Sequence, residues 1–174
     1  MKNEEFCANV LKQIGTPYSE TDCIGLIRKA ADIRCQGTNW LWRSYLSSGK
    51  YQYLTSRLDR PPALHELRNG LLVFRIQWKQ KPKGYSDTPN CYHVGVIIGT
   101  DVVQSQESTG VHKSAYRIDQ WHGCGWLKQV EYPTNLEPYQ EPLPPEPTKD
   151  MYPDPYELTD HEMLLALFNR YIRD

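Results

Sequence analysis

The sequence has little of what marks several classes of protein. Twenty lysines and arginines face 21 aspartates and glutamates, for a net charge of −1. With no long basic run, this balance argues against a nucleic-acid or membrane-surface partner. No stretch approaches the roughly 20 apolar residues of a membrane span. The first residues, Met-Lys-Asn-Glu-Glu-Phe-Cys-Ala, carry no long apolar run. We therefore expect no signal peptide and synthesis in the cytoplasm.

The cysteines do not suggest a disulfide framework. There are five of them, an odd number, and their spacing is not compact. This usage indicates reduced thiols in a protein made in the cytosol. At 174 residues, the chain is long enough to bury a core without disulfides, as one domain plus an appendage.

The order of predicted elements is helices first and strands afterwards. Helical spacing of apolar residues, or strand-like runs of them, mark each element. Helices are expected at 3–14, 23–35 and 38–48, and strands at 71–78, 91–99, 102–106, 111–118 and 125–130. Thr100-Asp101 is expected to form the tight turn of a hairpin over 91–106. Such segregation predicts an α+β fold with an antiparallel sheet.

Composition divides the chain into three parts. Residues 1–131 carry the predicted elements and form the expected domain. Residues 132–155 contain eight prolines, which predicts an extended linker or a surface arm. Residues 156–174 predict an amphipathic C-terminal helix, whose apolar face must be buried on the main domain or on a partner chain.

The stretch around Cys23 has the pattern of a nucleophile at a helix start. Asp22 is a favoured N-cap residue, and apolar residues follow it at helical spacing. A thiol in the first turn lies in the positive end of the helix dipole, which favours the reactive thiolate. The alternative is a buried, inert cysteine.

A cysteine nucleophile needs a base nearby and a third group that orients the base. Of the five histidines, His93 opens a very apolar strand, where an imidazole is costly unless it has a partner. Gln104 lies on the next strand of the predicted hairpin. Its amide can fix the tautomer of the ring and leave the other nitrogen free for the thiol proton.

These segments together resemble the NlpC-type cell-wall cysteine peptidases. Asp22-Cys23-Ile24-Gly25-Leu26, after Gly15-Thr16-Pro17-Tyr18, is similar to the catalytic segment of that family. Residues 68–74 are similar to its first sheet strand, 93–99 to its histidine strand, and 102–105 fall where it has its third polar residue. The resemblance covers roughly residues 5 to 130, in the same order.

The resemblance implies a papain-like α+β fold, with N-terminal helices and the Cys-bearing helix packed on a central antiparallel sheet. It implies hydrolysis of amide bonds in peptidoglycan stem peptides, with no cofactor. By the family pattern Cys23 attacks the carbonyl, His93 is the general base and Gln104 orients the imidazole. Tyr18 matches a tyrosine that helps to bind substrate or to stabilise the oxyanion, beside the backbone N–H of Cys23.

The sequence departs from the family at several positions. The loop between Tyr18 and Asp22 is shorter, Leu71 replaces a common acidic residue, and the third polar residue is more often His than Gln. Gln106 points to the same face as Gln104 and is a rival for its role. The short loop and the absence of a wall-binding repeat fit a phage-type or tail-associated enzyme that acts on the cell wall.

The sequence is also compatible with two other functions. One is a zinc site built from Cys91, His93, His122 and Cys124, although each pair has a one-residue gap, and structural zinc ligands are usually spaced further apart. The other is a catalytically inactive assembly module that docks on a protein partner through the C-terminal helix.

Overall fold

The computed structural model of the chain describes residues 1–45, 57–84 and 89–133. Within them, helices precede a six-stranded antiparallel sheet, so the predicted α+β class is confirmed. The longer elements are helices α1 (Asn3–Leu11) and α2 (Cys23–Ala31) and strands β2 (Leu72–Gln77), β3 (Asn90–Ile98), β4 (Asp101–Gln106) and β5 (Gly110–Ala115). Short elements are α3 (Thr38–Trp40), β1 (Arg57–Leu58) and β6 (Gly123–Gly125). The strand order is β1-β6-β2-β3-β4-β5.

Helix α2 begins and ends where its sequence dictates. The Asp22 carboxylate accepts a hydrogen bond from the Gly25 N–H at 2.6 Å, which satisfies one of the free donors of the first turn. The helix ends at Asp32, whose left-handed backbone (φ 50°) breaks the helical repeat. Its buried face includes Leu26, Ile27 and Ala30, and it contacts β3 and β4. The cysteine-bearing helix therefore packs on the centre of the sheet.

The third predicted helix is present only in part. Thr38–Trp40 forms one helical turn, and Leu41–Tyr45 continues it as a π-helical turn. Residues 46–48 of the prediction lie outside the described residues.

Strands β3 and β4 form the predicted hairpin. Ile98 pairs with Asp101, so the two turn residues are Gly99 and Thr100 rather than Thr100 and Asp101. Gly99 adopts a positive φ of 66°, which the tight turns of two-residue hairpins require and which glycine supplies without strain.

The predicted strand at 125–130 is wrong. The last strand, β6, covers Gly123–Gly125 and pairs with both β1 and β2. After it, Trp126, Leu127 and Val130 are buried as part of a turn, in which the Val130 N–H donates to the Leu127 carbonyl at 3.1 Å. The run is apolar because it packs inward, with the Trp126 ring 4.4 Å from that of Tyr132.

The predicted proline-rich arm and C-terminal helix lie almost entirely outside the described residues. Apart from Tyr132 and Pro133, residues 132–174 lie outside the described residues. Among the helices that are described, none is long and apolar enough to cross a membrane.

A pair of backbone hydrogen bonds fastens the loop that precedes Cys23 to the sheet. The Gly15 N–H donates to the Val111 carbonyl, and the Val111 N–H donates to the Thr16 carbonyl, both at 2.8 Å. The backbone of Thr16 approaches β5 so closely that the residue before Val111 must lack a side chain. At Gly110 (φ +64°), an added Cβ would lie 2.3 Å from the Thr16 carbonyl oxygen.

We predict that Gly110→Ala lowers the free energy of unfolding by about 2–4 kcal/mol, since it adds a backbone clash to left-handed strain. Gly84→Ala is the matched control, because Gly84 also has a positive φ (+84°) but nothing within 4 Å of the added Cβ. It should cost about 1–2 kcal/mol. Urea unfolding of the full chain measures both values, and equal costs would contradict the contact with Thr16.

Candidate active site

Cys23 is the first residue of α2 and is 8% exposed. The turn before it is tied to the sheet, because the Ser105 hydroxyl on β4 donates to the Thr21 carbonyl at 2.5 Å. Asp22 caps the helix in the same segment. The position of the thiol is therefore set by a fixed turn and a capped helix rather than by a free loop.

The ionisation of Cys23 differs from the prediction. Burial raises the pKa of the Cys23 thiol, and the nearby Asp22 carboxylate raises it further. The backbone N–H groups of Val94, Ile24 and Cys23 itself lower the pKa, but the net shift is upward. The stabilisation of a thiolate expected at the helix start is thus outweighed by desolvation, and the resting group is a thiol.

His93 lies on β3 next to a bulge in the sheet. Arg75 pairs with His93 and Ile76 with Cys91, so that Tyr92 is an extra residue on β3. Bulges of this kind bend a strand and re-aim its side chains, and they are frequent beside functional sites.

Gln104 contacts the imidazole of His93, the ring that it is predicted to orient. His93 Nε2 and Gln104 Oε1 are 2.8 Å apart. The amide nitrogen of Gln104, which is 4% exposed, donates to the Ser114 hydroxyl on β5 at 3.0 Å. Because the amide oxygen only accepts, we assign the ring proton to Nε2, which leaves Nδ1 with a free lone pair.

The environment of His93 keeps the ring neutral at neutral pH. Burial lowers the pKa of His93, the hydrogen bond that the ring donates to Gln104 raises it, and the charges of Arg75 and His112 lower it again, for a net downward shift. The imidazole also stacks on Trp121, with ring centroids 5.9 Å apart and planes 21° from parallel. A neutral, oriented imidazole is the form that can accept a proton.

The Cys23 thiol contacts β3 at Val94, the residue next to His93. The backbone N–H of Val94, which follows His93 in the chain, is one of the groups that lower the pKa of the Cys23 thiol. Among the described residues, no hydrogen bond joins the Cys23 thiol to the His93 ring. Hydrogen bonds of catalytic groups are often long before substrate binds and tighten in the complex.

Tyr18 and Gln106 line the same cleft as His93. Burial raises the pKa of the Tyr18 hydroxyl, and the neighbouring Cys23, Asp22 and Glu107 raise it further. Gln106 donates to Gln104 Oε1 at 3.4 Å and has no hydrogen bond to His93 in the described part of the chain. In the structure, Gln104 rather than its rival Gln106 contacts the imidazole.

The cleft has a volume of about 440 Å³. Its lining includes Tyr18, Arg75, Tyr92, His93, Gln106 and Glu107.

Sequence reasoning missed Arg75 and Trp121. The Arg75 guanidinium lies over the Trp121 ring, 5.1 Å from its centroid, and Trp121 also stacks on His93. One signal was available, since Arg75 is a charged residue inside the apolar run Leu72–Ile76. Trp121 comes from a loop far along the chain, and no local pattern connects it to His93.

The residues proposed for a zinc site do not converge. Across residues 1–45, 57–84 and 89–133, no three His, Cys, Asp or Glu side chains are grouped so that they could hold a metal ion. His122 Nδ1 instead accepts a hydrogen bond from the Ile76 N–H at 3.2 Å. Burial raises the pKa values of Cys91 and Cys124 to about 12, which disfavours the thiolates that zinc requires.

We predict that Gln104→Met lowers the pKa of His93 further, because the hydrogen bond to Gln104 favours the charged ring. Gln104→Glu should raise it, since a carboxylate stabilises the imidazolium. Gln106→Met is the matched control and should change it little. NMR titration of the His93 ring protons measures all three. A larger shift for Gln106→Met than for Gln104→Met would assign the orienting role to Gln106.

The chain was compared with protein-family models, with curated proteins and with solved structures, and none of the three comparisons produced a match.

Proposed function

We propose that the protein is a cysteine hydrolase that cleaves amide bonds, with Cys23 as nucleophile, His93 as general base and Gln104 as the residue that orients His93. The observation that supports it most is the 2.8 Å contact between His93 Nε2 and Gln104 Oε1. That contact directs Nδ1 away from Gln104. The next residue on the same strand, Val94, lies against the Cys23 thiol.

The pKa shifts indicate how the reaction would begin. The pKa of Cys23 is raised and that of His93 is lowered, so the resting pair is a thiol and a neutral imidazole. Proton transfer then accompanies attack: the thiol proton moves to His93 Nδ1 while sulfur bonds to the carbonyl carbon. The N-terminus of α2 offers N–H groups to the developing oxyanion.

The second half of the reaction restores the enzyme. His93 gives its proton to the leaving amine as the carbon–nitrogen bond breaks, which leaves a thioester on Cys23. Water then attacks the thioester carbonyl and gives a proton to His93. The carbon–sulfur bond breaks, the carboxylic acid product leaves, and His93 returns the proton to the Cys23 sulfur. Each role needs only residues of this chain, and no cofactor enters.

We further propose that the fold is papain-like and that the substrates are the stem peptides of peptidoglycan, so that the protein acts on the cell wall. The packing of α2 on β3 and β4 supports the fold. The substrate rests on the resemblance of the segments around Cys23, His93 and Gln104 to the NlpC-type peptidases. Delivery by a phage or tail-like particle is proposed from the short loop between Tyr18 and Asp22, in which the chain departs from that family.

We expect the wild-type chain to release peptide fragments from purified peptidoglycan, identified by mass. Cys23→Ala should reduce the rate by at least about 1,000-fold, and His93→Ala by about 100- to 10,000-fold. Cys35→Ala removes another buried thiol and is the matched control, expected to retain activity. Undiminished release by folded Cys23→Ala would falsify the assignment of the nucleophile.

The ionisation of Cys23 gives a separate prediction. Since its pKa is raised, the rate of alkylation by iodoacetamide should climb with pH and reach its midpoint above the usual thiol range of about 8.5. Activity should fall in acid only below about pH 6.5, as His93 becomes protonated. Mapping the modified peptide by mass in a Cys7→Ala background removes the other partly exposed cysteine. Fast, pH-independent alkylation near pH 6 would indicate a thiolate–imidazolium pair instead.

A further inference from the structure

Arg75 is a half-buried cation that lines the cleft and has no role in the reaction described above. It lies on β2 directly opposite His93 on β3, and it lines the same cleft. The ring of Trp121 supports its guanidinium at 5.1 Å. Trp121 also stacks on His93, so His93 and Arg75 contact the same indole ring.

The hydrogen-bonding capacity of Arg75 is largely unused. A guanidinium has five N–H donors, and within the described residues only Nη2 is engaged, with Gln120 Oε1 at 3.3 Å. Its Nε is buried without a hydrogen-bond partner. No carboxylate of the described chain forms an ion pair with it, whereas Arg60 and Arg117 each pair with an acidic residue. An arginine held in this way is suited to a ligand with matching acceptors.

We propose that Arg75 forms an anion subsite that binds a carboxylate of the substrate next to the bond that is cleaved. The planar fork of the guanidinium matches the two oxygens of a carboxylate. Trp121 and Gln120 hold the fork, so little freedom is lost on binding. That the ligand is a substrate with a bond to be cleaved rests on the proposed function, but binding of a carboxylate at Arg75 does not require hydrolysis.

Glu107 limits where the carboxylate can lie. It lines the same cleft but forms no ion pair with Arg75 among the described residues. A ligand carboxylate would therefore lie against Arg75 and away from Glu107. The cleft thus selects for a ligand that is anionic at one end rather than along its whole length.

Binding at Arg75 would also alter His93. The charge of Arg75 is one of the groups that lower the pKa of His93, with burial the largest cause and His112 a further one. A carboxylate on Arg75 offsets that charge, so the pKa of His93 rises and the imidazole becomes a stronger base. A merely structural arginine would not produce this response.

The test is a titration of full-length Cys23→Ala, which cannot turn over, with N-acetylglycine and with N-acetylglycine amide. The His93 ring signals report both binding and the pKa. We expect the carboxylate to bind and to raise the pKa of His93, and the neutral amide to bind at least about 10-fold more weakly. Arg75→Met should weaken binding of the carboxylate about 10- to 100-fold and leave binding of the amide unchanged.

Three further variants keep the result interpretable. Arg75→Lys preserves the charge if Arg75→Met does not fold, and it should still lose part of the preference because it lacks the fork. Glu107→Gln should not weaken binding. Arg117→Met, an exposed arginine outside the cleft, is the matched control and should change nothing.

The outcomes separate this subsite from the proposed function. Three results would overturn the carboxylate subsite. These are equal affinity for N-acetylglycine and its amide, an affinity for inorganic phosphate equal to that for N-acetylglycine, or unchanged affinity of Arg75→Met for N-acetylglycine. If N-acetylglycine binds through Arg75 but peptidoglycan is not cleaved, the subsite stands and the proposed reaction fails. If peptidoglycan is cleaved equally well by Arg75→Met, the reaction stands and the subsite fails.

Discussion

The hydrogen bond between His93 and Gln104 is the constraint on which the site depends. At 2.8 Å, it fixes the ring at Nε2 and leaves Nδ1 as the atom that can take a proton. Gln104 is fixed in turn by Ser114 on β5. Three adjacent strands therefore determine the direction of one lone pair, which is the kind of rigid support that a general base requires.

The position of the Cys23 thiol depends on the same sheet. Its helix packs on β3 and β4, and the turn before it is tied to β4 by Ser105 and, further back, to β5 at Val111. Burial favours the neutral form of both Cys23 and His93. In the proposed reaction, charge separation would therefore occur only as the sulfur attacks a carbonyl carbon.

Much of this arrangement could be predicted from the sequence, because it depends on local signals. Asp22 before an apolar helical face specified the start of α2. A polar residue in an apolar strand marked His93, and a two-residue turn brought Gln104 within its reach. These inferences need only the helical and strand periods and the geometry of one hairpin.

What the sequence did not predict depends on tertiary packing. The pKa of Cys23 follows from how deeply the folded chain buries it, which a dipole argument at the helix start cannot anticipate. Trp121 and Arg75 meet His93 only through the order of the strands. The short strand β1 has two residues, too few for any pattern, and the run after Gly125 is apolar because it packs inward and not because it is a strand.

The central claim is that an acyl group is transferred to Cys23. The most direct measurement is rapid acid quenching of the full chain with a stem peptide, followed by mass analysis of the peptide that contains Cys23. The account predicts a transient adduct on Cys23 with the mass of the acyl fragment, formed at the same rate as the first amine is released. Release of amine with no adduct on Cys23 at any time would contradict it.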